Sequence, residues 1–247
     1  MTILFENQKD LLIRLRKIRL NGFANELENQ FMNSLVYADS TLEDRLSLCI
    51  EAQESYTKER RCAYLIKNAK FKDSLRMSDL SLTKEYGLSE QVKNTLTSTQ
   101  WISKGVNILV SGPCGVGKTS LINAVGYNCC LNGISVKNFR TDDFFNSLIN
   151  MPMIERVRVK EYLKKIKVIL FDDFGMNNLN EEHRKELFDI IDDRYRIGST
   201  IIATQLKKSG VKMIMGNDAK GEATIDRFFN PCIEIELNGP SRRSANS

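Results

Sequence analysis

One octapeptide limits the possible folds of this chain more than any other stretch. The residues GPCGVGKT, from Gly112 to Thr119, match the phosphate-binding pattern G-x-x-x-x-G-K-[ST] without a mismatch. The apolar run VNILVS before them predicts a buried strand, and the residues after them are apolar at helical spacing. A strand, a glycine loop and a helix in this order are the context in which the motif binds phosphate. The sequence therefore predicts a nucleotide site and not a chance glycine-rich turn.

Each residue type in this loop has its own chemical role. Glycines allow backbone N–H groups to turn toward phosphate oxygens, and the helix N-terminus adds partial positive charge. We expect Lys118 to reach the β- and γ-phosphates and the hydroxyl of Thr119 to bind Mg²⁺, so the predicted cofactors are ATP and Mg²⁺. The predicted nucleotide-binding residues are Gly112, Pro113, Cys114, Gly115, Val116, Gly117, Lys118, Thr119 and Ser120.

An acidic pair further along the chain supplies the second half of such a site. A short apolar strand in KVILFDDFG ends in Asp172-Asp173. A carboxylate at the end of a strand can hold Mg²⁺ opposite Thr119, and the next one can activate a water molecule. We therefore assign Asp172 to the metal and Asp173 to catalysis. At the end of the next strand, STIIATQ, Gln205 is the predicted catalytic sensor of the γ-phosphate, with Thr204 as the second choice.

Composition divides the chain into three parts. Residues 1–78 contain one glycine, no proline and long helix-forming stretches, which predicts a small all-helical N-terminal domain. Residues 79–105 are expected to form a connector. Residues 106–247 alternate strands and helices, the pattern of a parallel sheet flanked by helices. The five predicted strands are Val106–Ser111, Ile134–Phe139, the apolar run VILF before Asp172, Ser199–Gln205 and Cys232–Leu237. The predicted fold class is therefore an α/β P-loop NTPase domain preceded by a helical domain.

The longest predicted helix lies in the N-terminal part. Thr41 and Asp44 form a capping-box pattern, although an aspartate replaces the usual glutamate. Leu46, Ile50 and Leu65 follow at helical intervals. The helix is expected to run from about Leu42 to Ala69.

Basic residues cluster on the predicted N-terminal helices. Such clusters are typical of proteins that bind the phosphate backbone of nucleic acids, and the formal net charge of +5 permits this. The alternative is a solvated helix face that pairs with the acidic segment between the clusters, and the sequence leaves both open. The candidate DNA contacts are Arg14, Arg16, Lys17, Arg19, Lys58, Arg60, Arg61, Lys67, Lys70 and Lys72.

Histidine and cysteine usage argues against several classes of site. The single histidine, His183, cannot supply a histidine-based zinc site or a Ser-His-Asp triad, and its charged surroundings predict a helix surface. The six cysteines show no CxxC pair, which is typical of reduced thiols in the cytoplasm. Apolar runs are far shorter than the roughly 20 residues that span a bilayer, and no signal-peptide pattern opens the chain. We expect a cytoplasmic protein without a membrane partner.

With these motifs in order, the chain resembles the IstB/DnaC-like group of AAA+ ATPases, and within it the IstB-like helpers of insertion-sequence transposition. The resemblance covers nearly the whole chain, from LLIRLRKIRLNGFANEL through GPCGVGKT, ILFDDFG and STIIATQL to TIDRFF and IEIELNGPSRRS. It implies that Arg227 is a catalytic arginine finger acting in a neighbouring subunit. It also implies that Arg243 contacts the nucleotide in its own subunit, and that no C-terminal helical lid follows.

The same resemblance implies a function. An IstB-like protein would oligomerise on duplex DNA through ATP-bridged interfaces, remodel the target DNA and recruit or stimulate a transposase. ATP hydrolysis would reset this assembly. One alternative is a replicative helicase loader of the DnaC type, whose N-terminal helices would bind a helicase. Another is a metabolic P-loop kinase, which would need a lid and an acceptor pocket and would give the N-terminal helices no role.

Overall fold

The chain forms two compact units, Met1–Tyr64 and Leu65–Ser247. The structure, a computed structural model, describes residues 4–73, 75–80, 82 and 84–241. Within these described ranges, every helix is too short or too polar to cross a lipid bilayer.

The N-terminal unit is helical, as its composition predicts. Its buried positions include Leu12, Ala24 and Cys49. The side-chain oxygen of Gln53 accepts hydrogen bonds from the backbone N–H groups of Gly22 and Phe23, at 3.0 and 3.2 Å. These bonds satisfy donors in the first helical turn that have no partner within their own helix. The helices are α1 (Glu6–Lys17), α2 (Asn21–Met32) and α3 (Leu42–Ala69), the last of which continues beyond this unit.

The start of α3 confirms the predicted capping box. The backbone N–H of Asp44 donates to Thr41 Oγ1 at 3.1 Å, and the backbone N–H of Thr41 donates to Asp44 Oδ2 at 3.2 Å. The aspartate therefore performs the role that a glutamate usually has at this position. The bounds of α3 are those that the sequence predicts.

The second unit is built on a five-stranded parallel sheet in the order β2-β3-β4-β1-β5. The strands are β1 (Asn107–Ser111), β2 (Val136–Arg140), β3 (Val168–Phe174), β4 (Ser199–Thr204) and β5 (Cys232–Glu236). The helices of this unit are α4 (Glu90–Ser98), α5 (Gln100–Ser103), α6 (Lys118–Leu131), α7 (Thr141–Ile149), α8 (Met153–Lys165), α9 (Glu181–Arg194), α10 (Lys208–Met215) and α11 (Ala219–Phe229).

Apolar clusters cover both faces of this sheet. Leu170 packs in one cluster with residues of α6, while its neighbours Ile169 and Phe171 pack in a second cluster with residues of α7 and α9. Successive side chains of a strand point to opposite faces, so a strand with both faces covered reads as a continuous apolar run. This explains the sequence VILF and confirms the predicted α/β fold class.

The carboxyl ends of the strands meet at one edge of the sheet. Ser111, at the end of β1, is in register with Thr204 at the end of β4. Arg140, at the end of β2, is in register with Asp172 near the end of β3. Side chains that follow four different strands are therefore brought to this edge, which we call the carboxyl edge.

The division between the units differs from the predicted one. The N-terminal compact unit ends at Tyr64, whereas the prediction placed its end at residue 78 and a connector at 79–105. Leu88, Leu96 and Trp101 are buried in the cluster that also contains β1 residues. These apolar side chains follow no single period, so the sequence pattern did not indicate that they belong to the sheet-containing unit.

The predicted surface position of His183 is wrong. Its side chain is 8% exposed, and its ring centroid lies 6.2 Å from that of Phe145. His183 precedes Leu187 by one helical turn, and both lie on the inward face of α9. Glu181, Glu182 and Lys185 are exposed on the other sides of the same helix. Glu186, a further charged neighbour, is buried and pairs with Arg156.

Candidate nucleotide and magnesium site

The glycine loop connects β1 to α6 at the carboxyl edge. Gly115 and Gly117 have φ angles of +79° and +105°, which residues with a Cβ rarely adopt. Lys118 is the first residue of α6 and is 8% exposed. Its ammonium group donates to the carbonyl oxygens of Gly112 at 2.8 Å and Pro113 at 2.7 Å. The loop therefore combines an inward-facing cation with the N-terminus of a long helix, which suits a polyphosphate.

Thr119 and Asp172 meet at this edge, although 53 residues separate them in the sequence. The hydroxyl of Thr119 donates to Asp172 Oδ1 at 3.0 Å, and the Asp172 side chain is only 2% exposed. A hydroxyl and a carboxylate are oxygen ligands of the kind that Mg²⁺ prefers. Among the described residues, no group of three or more histidine, cysteine or acidic side chains could hold a metal alone.

Asp173 has an unusual backbone. Its φ is +56°, and its N–H donates to Asp172 Oδ1 at 3.1 Å. The Asp173 side chain is about one-third exposed, with Arg140 Nε 3.9 Å from Oδ2. The Thr141 hydroxyl donates to the Asp172 carbonyl oxygen at 2.7 Å and fixes the end of β3. A partly hydrated carboxylate beside a buried one is an arrangement in which Asp173 can accept a proton from water.

The two sensor candidates have different environments. Thr204 is buried, and its hydroxyl donates to the Phe174 carbonyl oxygen at 2.7 Å while it accepts from the Leu206 N–H at 3.1 Å. This hydroxyl therefore ties β4 to β3. Gln205 is exposed, with its side-chain nitrogen 3.0 Å from the sulfur of Met176. Of the two, Gln205 has the side chain that a nucleotide at the carboxyl edge can reach.

Arg227 lies at the other end of the sheet. Its carbonyl oxygen is 3.3 Å from the side-chain nitrogen of Asn107, the first residue of β1. Its guanidinium contacts Asp192 at 2.7 Å and lies 5.3 Å from the centre of the Phe188 ring. About 13 Å of strand separates the two ends of β1. The structure therefore does not bring Arg227 to the glycine loop of its own chain, and Arg243 lies outside the described residues.

The sequence prediction missed two cations at the carboxyl edge. Lys72 was a candidate DNA contact, but its ammonium group lies 3.3 Å from Asp172 Oδ2. No sequence pattern signals a contact between residues 100 positions apart. Arg140 was not proposed at all. It could have been found, because it directly follows a predicted strand whose carboxyl end lies at this edge.

Most of the remaining basic candidates lie on helices, whereas Arg19 and Lys70 lie in the turns that come after α1 and α3. Arg16 contacts Glu28 at 2.5 Å. For this residue, the structure therefore agrees with the alternative that the basic residues pair with the acidic segment. Arg60 lies 5.8 Å from the centre of the Tyr56 ring. The exposed candidates are Arg14, Lys17, Arg19, Lys58, Arg60, Arg61, Lys67 and Lys70.

Comparison with known proteins gives one consistent family. The model of the IstB-like ATP-binding protein family matches residues 13–247. A protein assigned as the ATP-binding protein of insertion sequence IS1162 in Pseudomonas fluorescens is 34% identical over 223 residues, which cover 90% of this chain and 93% of that protein. A protein assigned as an insertion-sequence ATP-binding protein in Sinorhizobium fredii is 32% identical over 199 residues, which cover 80% and 81%.

A solved structure agrees with the fold of the second unit. The crystal structure of the DnaC helicase loader superposes with a TM-score of 0.56 over 66% of this chain and 96% of that chain. The two sequences are 20% identical in this comparison. At this level of identity the similarity identifies a shared fold.

Proposed function

This chain belongs to the IstB-like ATP-binding protein family, and from that premise we propose that it is a Mg²⁺-dependent ATPase that acts as a DNA-binding switch in transposition. The observation that carries the proposal is the contact between the Thr119 hydroxyl and the buried Asp172 carboxylate. Two residues from distant parts of the chain are placed beside the glycine loop, as magnesium-bound nucleotide requires.

Each residue of the carboxyl edge would have a separate role in ATP hydrolysis. We propose that the glycine loop and Lys118 bind the phosphates, and that Thr119 and Asp172 hold Mg²⁺. When bound, Mg²⁺ would neutralise charge that develops on the phosphate oxygens. Asp173 would accept a proton from the attacking water, and the amide of Gln205 would orient that water. Arg243, by resemblance, would contact the nucleotide in the same chain.

We also propose that Arg227 completes the site of a neighbouring copy. Its place at the opposite end of β1 from the glycine loop, with its side chain 30% exposed, supports an action in trans. A cation supplied by a second subunit makes hydrolysis depend on assembly. The protein would then report its oligomeric state through its nucleotide.

For the DNA-binding role, the support comes from charge and from the relatives. The relatives are named after insertion sequences, which are DNA elements, and exposed basic residues lie along α1 and the second half of α3. We propose that these residues bind duplex DNA when ATP is bound, and that the assembled protein deforms the target and recruits a transposase. The six cysteines include no CxxC pair, which is typical of a reducing compartment and supports a cytoplasmic location.

A salt titration tests the DNA-binding proposal. Affinity for duplex DNA is measured between low and physiological salt with ATP, ADP or no nucleotide. We expect ATP-dependent affinity that falls with salt, because each neutralised phosphate releases a counterion. Affinity without salt dependence, or none in the presence of ATP, would contradict the proposal. A helicase loader would instead bind a helicase without requiring duplex DNA.

Paired variants locate the surface. Arg14→Ala with Lys17→Ala removes charge from α1, and Lys58→Ala with Lys67→Ala removes it from α3. The matched control, Lys104→Ala with Lys185→Ala, removes two exposed charges elsewhere. Each phosphate contact contributes about one unit to the salt slope, so a pair that binds DNA should lower the slope by about two. Equal slopes for all three pairs would exclude these helices as the DNA surface.

A further inference from the structure

The ammonium group of Lys72 lies on the carboxylate that we assign to magnesium. It is 3.3 Å from Asp172 Oδ2, while the other oxygen of Asp172 accepts from Thr119 at 3.0 Å. Asp172 is 2% exposed, but the Lys72 side chain is 54% exposed. One partner is therefore fixed in the sheet, and the other reaches it from the surface.

We propose that Lys72 is a positioning residue that holds Asp172 and is exchanged for Mg²⁺ when nucleotide binds. This inference rests on the magnesium-dependent ATP binding proposed above. A buried carboxylate needs a compensating cation, and either an ammonium group or Mg²⁺ can provide it. Because both use the same carboxylate, Lys72 lowers the apparent affinity of the site for Mg²⁺. The side chain is then released toward solvent, where it can be hydrated.

The backbone around Lys72 is anchored on both sides of the helix end. Lys137 Nζ donates to the Asn68 carbonyl oxygen at 2.6 Å. The ring of Phe71 packs on Gly126 of α6, where a Cβ would lie 2.7 Å from its nearest ring carbon. A side chain at position 126 would therefore displace the phenylalanine. These two contacts place the Lys72 backbone beside the sheet, and the contact of its side chain with Asp172 is a third attachment of this segment.

The position of Lys72 in the chain gives the exchange a consequence. Lys70 has a φ of +59° and terminates α3, so Lys72 lies just beyond the helix end. This helix runs unbroken from Leu42 to Ala69 and carries part of the proposed DNA surface. Loss of the contact between Lys72 and Asp172 removes one of the attachments of the helix end to the sheet. Nucleotide binding would thereby change the order of the segment that joins α3 to the ATPase unit.

A magnesium titration tests the exchange directly. Binding of a fluorescent ATP analogue to the full-length protein is measured as a function of Mg²⁺ concentration. For Lys72→Met we expect half-maximal binding at a Mg²⁺ concentration about 5 to 10 times lower than for the wild type, with affinity at saturating Mg²⁺ within twofold. Lys72→Arg should restore the wild-type requirement, since it retains the cation. The control Lys104→Met removes an exposed lysine that lies before β1, away from the carboxyl edge, and should behave as wild type.

A second readout follows the helix end. Hydrogen exchange of residues 65–73 should increase in the wild type when Mg²⁺ and nucleotide are added together. In Lys72→Met it should be high from the start and respond little.

Several results would overturn the proposal. An unchanged Mg²⁺ requirement in Lys72→Met would show that the ion pair does not compete with the metal. A large loss of analogue affinity at saturating Mg²⁺ would instead identify Lys72 as a phosphate ligand. If the wild type binds no nucleotide with Mg²⁺, the proposed ATPase function falls as well. A failure of DNA binding alone would leave this titration unaffected, so the two proposals fail separately.

Discussion

Two buried charges lie at opposite ends of the same strands, and their partners differ in kind. Asp172 is near the carboxyl end of β3. Its carboxylate contacts the side chains of Thr119 and Lys72, and it also accepts from the backbone N–H of the next residue, Asp173. Arg194 ends α9 at the amino end of the sheet, beside the first residues of β3 and β4. Each is 2% exposed. Burial alone therefore does not distinguish a charge that stabilises the fold from one that works in a site.

The partners of Arg194 are backbone carbonyl groups. Its guanidinium donates to Leu163 and Ile166 at 2.6 and 2.5 Å, and to Lys167 and Ser199 at 3.2 and 2.8 Å. Burial lowers the pKa of Arg194 to about 10, so the group remains charged near neutral pH. The carbonyl groups end α8 and begin two strands, and they cannot leave without unfolding. Arg194 is thus a fixed connection between helix and sheet.

The two side-chain partners of Asp172 can be exchanged without unfolding. The Thr119 hydroxyl can rotate, and the Lys72 side chain can leave for solvent. A carboxylate that must accept a metal and release it needs partners of this kind. The comparison teaches that the nature of the partners, and not the degree of burial, separates the two ends of the sheet.

The largest effect is expected at the fixed end. Arg194→Met should destabilise the second unit by about 3 to 5 kcal/mol, because four carbonyl groups, three of them in buried hydrogen bonds, lose the charged guanidinium donor. For a unit of this size, this corresponds to a fall in Tm of about 10 °C, measured by scanning calorimetry. The control Arg158→Met, an exposed arginine on α8, should change stability by less than about 0.5 kcal/mol. Similar Tm values for both variants would show that Arg194 does not stabilise the fold more than an exposed arginine does.

The second largest effect is expected at Asp172, and it concerns the affinity for ATP and not the stability of the fold. Asp172→Asn keeps the shape of the side chain and removes its charge. We expect Mg²⁺-dependent binding of ATP to weaken at least about 100-fold, or about 2.7 kcal/mol, because the metal loses its carboxylate. Tm without nucleotide should change little, since Lys72 is half exposed and can be hydrated. The control Asp39→Asn, an exposed carboxylate in the N-terminal unit, should leave both measurements unchanged. A loss of Tm as large as that of Arg194→Met would show that Asp172, like Arg194, mainly stabilises the fold.

The features that the sequence could predict are those that depend on local sequence pattern. The glycine loop, Asp172 and the five strands were predicted because each depends on local pattern and on the rule that parallel strands share a carboxyl edge. The start of α3 was predicted because Thr41 and Asp44 form a local capping pattern. Its extent was predicted from apolar residues at helical spacing.

Other features depend on contacts that local pattern does not encode. The role of Arg194 depends on backbone carbonyl groups, which every residue has, so no residue type signals it. The contact of Lys72 joins residues 100 positions apart. The burial of His183 depends on which face of α9 turns toward Phe145. The helices α10 and α11 also had no predicted counterpart, since the stretch between β4 and β5 mixes glycine and charge without a clear apolar period.

The smallest effect on stability is expected at Arg227, whose partner is exchangeable and also exposed. Its ion pair with Asp192 has side chains that are 30% and 44% exposed, and such pairs contribute about 0.2 to 1 kcal/mol. Its contact with the Phe188 ring adds an amount of similar size. Arg227→Ala should therefore lower Tm by no more than a few degrees. A larger loss would move Arg227 into the same class as Arg194.

Asp192→Ala provides the matched variant, because it breaks the same ion pair and keeps the arginine. If Arg227 acts in a neighbouring subunit, Arg227→Ala should lower assembly-stimulated hydrolysis by about 10³-fold or more while it retains nucleotide binding. Asp192→Ala should retain that hydrolysis, since the Arg227 side chain can then reach the neighbouring subunit without breaking an ion pair. Equal losses in both variants would show that the ion pair, and not the transferred cation, supports activity. Normal turnover in Arg227→Ala would remove this residue from the catalytic site.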